Sequence, residues 1–156
     1  MNTGKNGRGI ILEHLLDVEE HNTYIFPAAT NLDCVLTAHA DANTWSAWAE
    51  VEDTTPETPI TLSSLFAANK GHLTALVVEE TNTASTKFMF EISYGAAKVH
   101  VAAIRILSET NQIGVAQVAR IRGAEIPAGE TVYYRAMCET AGSKTATAYF
   151  RYFLYE

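Results

Sequence analysis

Cysteine is scarce in this sequence: the two present, Cys34 and Cys138, lie far apart, and neither sits in a CxxC or CxxH context. That spacing gives no support to a thiolate metal site or a disulfide framework. Free buried thiols are the expectation, with a single bridge as the alternative. Long apolar runs are missing too, and none approaches the ~20 residues that a membrane-spanning helix requires. The opening stretch, Met1 to Gly9, is polar and Gly-rich, and the apolar stretch after it is interrupted by Glu13, His14 and Asp17. It therefore lacks the continuous hydrophobic region of a signal peptide, and secretory export is not expected.

Chemistry-bearing motifs are equally thin. The histidines His14, His21, His39, His72 and His100 contain no HxH or HExxH pair, the spacings that bring imidazoles to one metal. His39 and Asp41 stand closest to a ligand pair, but no third ligand can be named. No GxSxG elbow surrounds Ser46, Ser63, Ser64 or Cys138, so nucleophilic catalysis has no local signature. Carboxylates pair at Glu19-Glu20, at Glu79-Glu80 and around Glu50, Glu52 and Asp53, and such pairs serve glycoside hydrolysis when they flank one bond. On a regular strand Glu79 and Glu80 point to opposite faces, so a solvated charge is the expected role. No enzyme activity, metal or cofactor is expected.

Positive charge is sparse in the first half. Residues 1 to 80 hold three Lys/Arg against twelve Asp/Glu, whereas residues 81 to 156 hold eight against six, within a formal net charge of -7. A negative field argues against nonspecific nucleic-acid binding, which depends on cations neutralising phosphates. The asymmetry is compatible with orienting subunits, or with charges scattered over a solvated face.

What the sequence does have is alternation. In 131–138 one face carries Val132, Tyr134, Ala136 and Cys138, and the other Thr131, Tyr133, Arg135 and Met137, the period of a strand. The last segment repeats this, with Ala146, Ala148, Phe150, Tyr152 and Leu154 opposite Thr145, Thr147, Tyr149, Arg151, Phe153 and Tyr155. The Gly-containing stretch Glu139 to Ser143 between them predicts an antiparallel hairpin. A second hairpin is predicted from Phe88, Phe90, Ile92 and Tyr94 through Gly95-Ala96-Ala97 to Val99 and Leu107. Further strands are expected over 72–80, 115–122, 32–38 and 44–51. Pro56 and Pro59 mark a loop before a helical turn at Leu62 to Phe66, while Ile10 to Val18 is ambiguous.

With 156 residues, 47% hydrophobic and 19% charged, the chain has the size and composition of one soluble domain with a proper core. Seven to nine short strands without a long helical pattern predict an all-β, antiparallel β-sandwich, with the jelly roll as first choice. An immunoglobulin-like order is disfavoured because Cys138 follows Trp45 and Trp48 by about 90 residues. The expected organisation is a flexible arm over 1–9 and a sandwich domain over 10–156.

Two surfaces stand out as binding candidates. The stripe Tyr133, Tyr149, Phe153 and Tyr155, with Arg135 and Arg151 among it, has the composition of a protein interface. It either meets another subunit or packs on the second sheet while the N-terminal segment covers the opposite face. Trp45 and Trp48, with Tyr24 and the C-terminal tyrosines, suggest the stacking platform of a carbohydrate-binding module. Their three-residue spacing, however, puts them on opposite faces of a regular strand, with at least one ring in the core.

The segment Glu125-Ile126-Pro127-Ala128-Gly129-Glu130-Thr131-Val132-Tyr133-Tyr134-Arg135, followed by a polar connection and a final strand, resembles the closing half of jelly-roll virion proteins of tailed bacteriophages. So does the plan of a polar arm, a Thr- and Ala-rich β-domain and a terminal strand. The resemblance covers mainly residues 72–156. It implies a structural protein of the virion, made in the host cytoplasm, such as a capsid decoration (cement) protein or a tail or fibre component. Its partners would be itself, as a homotrimer or other cyclic oligomer, and major capsid or other virion proteins, with no nucleic acid or membrane. In that setting the arm Met1 to Gly9 would order along a neighbouring subunit.

Overall fold

The structure, a computed structural model, describes residues 23–109 and 112–155. The arm 1–9 and the ambiguous stretch Ile10 to Val18 lie outside the described residues. Among the described residues nine strands and one helical turn follow in chain order: β1 (Tyr24–Phe26), β2 (Cys34–Thr37), β3 (Ala49–Glu50), α1 (Leu62–Leu65), β4 (Gly71–Thr81), β5 (Thr86–Tyr94), β6 (Val99–Ser108), β7 (Gln112–Arg120), β8 (Val132–Cys138) and β9 (Thr145–Leu154).

They form two antiparallel sheets. One has the order β1-β9-β4-β7, with β2 pairing the same β9 further along; the other has the order β3-β8-β5-β6. Four pairs, β2–β9, β3–β8, β4–β7 and β5–β6, are thus nested in sequence and alternate between the two sheets. This is the winding of a jelly roll, a long antiparallel ribbon rolled so that its two faces close on one core. The architecture agrees with the all-β sandwich expected from the pattern of short alternating strands.

Alternation explains which side chains fill that core. On β8, Val132, Tyr134, Ala136 and Cys138 are buried, and on β9, Ala146, Ala148, Phe150 and Tyr152; all eight belong to one cluster with Phe88, Phe90 and Ile92 of β5. The two inner faces meet across the sandwich. The predicted hairpin between these segments is therefore a correction: Glu139 to Lys144 carries the chain from one sheet to the other instead of folding β9 back beside β8. A strand's period reports its own two faces and says nothing about which strand pairs with it. The β5–β6 hairpin does form, through a turn in which Gly95 takes φ +71°, Lys98 takes φ +54°, and the Lys98 N–H donates to the Gly95 carbonyl at 3.1 Å. Glycine suits that φ because it carries no Cβ.

The helical turn expected after Pro59 is present as α1. Thr61 caps it, its Oγ1 accepting from the Ser64 N–H at 3.3 Å, and Leu62 and Phe66 anchor it in the core. Asp53 pins the preceding loop, its Oδ1 accepting from the N–H groups of Thr55 at 3.0 Å and Ile60 at 2.9 Å. Burial alone would raise the Asp53 pKa, but these two backbone donors outweigh it and hold the carboxyl below its ordinary value. Tyr134 ties the sheets together from the inside. Its hydroxyl donates to the Val35 carbonyl at 3.3 Å and accepts from the Thr37 N–H at 3.2 Å, so a β8 side chain binds the backbone of β2.

Both cysteines are free and buried. Burial, followed by the nearby charges of Asp53 and Asp33, pushes the Cys34 thiol far above its ordinary range.

Candidate interaction surfaces

The stripe proposed from sequence is divided by the fold. Tyr133 and Arg135 lie on the outer face of the four-stranded sheet, whereas Tyr149, Arg151, Phe153 and Tyr155 lie on or beside the outer face of the five-stranded sheet. All six stay out of the core cluster. The single continuous stripe is therefore corrected to two separate surfaces, back to back across the sandwich, because β8 and β9 belong to different sheets.

On the four-stranded sheet the organising residue is Arg135. Its Nε donates to Glu91 Oε2 at 2.7 Å, and Nη2 reaches the same oxygen. The guanidinium carbon lies 4.7 Å from the Trp45 ring centroid and 4.6 Å from that of Trp48, so the two indoles flank one cation. Glu91 Oε1 is also 3.2 Å from His100 Nδ1. Beside this cluster Lys98 Nζ sits 3.3 Å from the Tyr133 ring centroid.

Both tryptophans therefore escape the core, against the expectation from their spacing. The segment expected as a strand over 44–51 is regular only at Ala49–Glu50. Upstream, the Ser46 N–H donates to the Ala136 carbonyl, and the Ala136 N–H donates to Ser46 Oγ in place of a backbone oxygen. Ala49 then pairs with Tyr134. Ser46 to Ala49 thus advances by three residues while Ala136 to Tyr134 advances by two, as in a β-bulge. The additional residue reverses the alternation, which lets Trp45 and Trp48 reach the same guanidinium. Tyr24 does not join this platform: it is on β1, in the other sheet, with its ring 5.6 Å from that of Tyr152.

The five-stranded sheet presents a different surface. Across its outer face the registers run Tyr149–Val77–Val118 and Ile25–Arg151–Ala75–Arg120, with Val35 opposite Thr147 at the edge. Val77 is fully buried although it lies outside the core cluster, while Ile25, Val35 and Val118 keep 47%, 42% and 53% of their surface exposed. Sequence reasoning missed these four residues. The available signal was the run Ala75-Leu76-Val77-Val78, apolar at both parities where one face should be polar. At the end of the same sheet, Phe153 stacks on His72 at 5.2 Å and meets Tyr155 edge-on at 5.3 Å, with Lys70 Nζ 5.1 Å from the Tyr155 ring.

Glu79 and Glu80 are both exposed, a further correction to the strand period. Val78 pairs with Ala148 and Glu80 with Thr147, leaving Glu79 as the extra residue of a bulge. His39 and Asp41 do approach, Nδ1 to Oδ2 at 3.7 Å, and His39 Nδ1 accepts the Asp41 N–H at 2.9 Å. Among the described residues no three His, Cys, Asp or Glu side chains gather as a metal site.

No protein-family model matches the chain. No curated protein matches it. Among solved structures it is similar to the infectious bursal disease virus VP2 subviral particle, with a TM-score of 0.40 and 12% identity over 86% of this chain and 32% of that one. The chain spans about a third of that protein's length. The neighbour is thus a protein of a viral particle.

Proposed function

We propose that the chain is a non-catalytic structural protein of a virus particle, of the capsid decoration (cement) type, that adheres through the outer face of its five-stranded sheet. The observation that carries the adhesive role is on the outer face of that sheet, where Ile25, Val35 and Val118 remain exposed and Val77 is buried. Large apolar side chains gathered on one sheet face are the mark of a surface that is covered in use. Tyr149, Arg151 and Arg120 beside them supply the residue types enriched in interfaces. The virion and bacteriophage assignment rests on the resemblance of Glu125 to Arg135, and the jelly roll, a fold used by capsid and lectin domains, is compatible with it by analogy. The expected assembly is a homotrimer or other cyclic oligomer on major capsid or other virion proteins.

Light scattering over a range of protein and salt concentration tests the reading. A trimer or larger closed ring is expected for the whole chain, reduced to monomer by Ile25→Asp with Val118→Asp at an unchanged thermal midpoint. A chain that is monomeric throughout and binds no capsid surface would sink it.

One observation favours a second reading, a carbohydrate-binding module: both indoles of the chain lie outside the core on one sheet face. Each already gives one ring face to Arg135, so a sugar would stack on the other. Titration of oligosaccharides against the intrinsic fluorescence of Trp45 and Trp48 separates the two readings.

A further inference from the structure

Where the chain leaves β1 and turns into β2, it walls an open cleft of about 240 Å³ against the outer face of the five-stranded sheet. Its lining includes Ile25, Pro27, Leu32 and Tyr149, together with two acidic residues, Asp33 and Glu79. This volume is below the ~300 Å³ at which pockets for drug-sized ligands begin, so it suits one long side chain.

The charge is unbalanced. Neither Asp33 nor Glu79 forms an ion pair with any described residue. Glu79 is exposed on β4, two residues beyond the outer-face Val77, and Asp33 is half-buried immediately before β2. With Asp33 and Glu79 both in its lining, the cleft carries net negative charge, which favours a cation there. A lysine or arginine side chain answers both halves of the lining, since its methylene stem covers apolar surface while its head stays with the charges. The Tyr149 ring adds a π face for such a head, and Arg151, whose guanidinium carbon is 6.0 Å from that ring, already uses it without pairing with either carboxylate. The cleft adjoins Ile25, a member of the apolar surface assigned above to assembly.

We propose that this cleft receives a lysine or arginine side chain from the protein surface on which the chain assembles. The inference rests on the assembly reading and names the chemistry of the partner: a protuberant basic residue set beside an apolar contact.

The test uses the full chain, labelled with nitrogen-15, and two blocked tripeptides, acetyl-Gly-Lys-Gly-amide and the same peptide with norleucine for lysine. Saturable shifts of the amides of Ile25, Leu32, Asp33, Glu79 and Tyr149 are expected with the lysine peptide and not with norleucine. Asp33→Asn with Glu79→Gln should weaken binding about tenfold or more at an unchanged melting temperature. Absence of saturable shifts up to ~50 mM, an equal response to norleucine, or undiminished binding by the double variant would each overturn the proposal. Light scattering keeps the two ideas apart. A chain that oligomerises but ignores the lysine peptide loses only this inference, whereas one that binds the peptide yet never assembles loses the assembly reading instead.

Discussion

Replacing Arg135 by alanine removes three contacts at once, and their sizes can be worked from the geometry. The guanidinium meets two indoles, at 4.7 and 4.6 Å. Each contact contributes about 0.5–1 kcal/mol at a partly exposed site. The pair with Glu91 keeps 30% and 18% side-chain exposure, so solvent screening holds it to roughly 1 kcal/mol. Glu91 then keeps its 3.2 Å contact with His100 Nδ1. The sum is a loss of about 2–3 kcal/mol, or roughly 5–10 °C in melting temperature for a chain of this size. Arg135→Lys should recover about half, because an ammonium keeps the charge but cannot lie as a plane between two rings. The only two tryptophans of the chain are the two that flank Arg135, so intrinsic fluorescence reports the cluster directly. Arg135→Ala should shift their emission before any unfolding. Urea denaturation followed by circular dichroism gives the energies, and a cycle crossing Arg135→Ala with the combined Trp45→Ala and Trp48→Ala change isolates the coupling, expected at about 1–2 kcal/mol. A coupling below about 0.5 kcal/mol, within the error of additivity, would refute the idea that the indoles are held through Arg135.

Further outcomes follow from other parts of the fold. Tyr134→Phe should cost about 1–1.5 kcal/mol and speed hydrogen exchange at the Thr37 amide, because its hydroxyl serves two backbone groups of β2; an unchanged Thr37 rate would show that β2 is held without it. At Gly123 a Cβ would collide with the Val101 carbonyl oxygen, so Gly123→Ala should destabilise by about 1–3 kcal/mol in the same denaturation assay, and a neutral result would contradict that close approach. Asp53 has a folded pKa below its unfolded value, so its stabilisation is present above about pH 4 and is lost as pH falls through the folded pKa. Accordingly Asp53→Asn should be less stable than the parent at neutral pH, with a smaller further loss between pH 6 and pH 3, measured as melting temperature against pH. Deleting residues 1–9 should weaken attachment to a capsid surface while leaving the melting temperature in place, and undiminished attachment would remove the arm from the adhesive role.

Much of this fold was legible because its signals are local. Alternation in 132–138 and 145–154 sorted the residues of β8 and β9 into two faces, since successive side chains on a strand must point to opposite sides, and left open which face is the buried one. The β5–β6 hairpin and the Thr61-capped turn were legible for the same reason: a glycine turn and a proline-bounded loop act on their immediate neighbours.

Other features belong to the tertiary structure alone. Whether β9 lies beside β8 or across the core from it depends on long-range pairing with β4, and that choice divided Tyr133 and Arg135 from Tyr149, Arg151, Phe153 and Tyr155. Two irregularities of one residue each, at Ser46 to Ala49 and at Glu79, reversed the alternation and so placed Trp45, Trp48 and Glu80 where a count by twos does not. The physical reason is common to all of these. A strand's period is set by its own backbone, while its partner and its bulges are selected by which arrangement buries the most apolar surface, and that is decided only when both sheets close over one core.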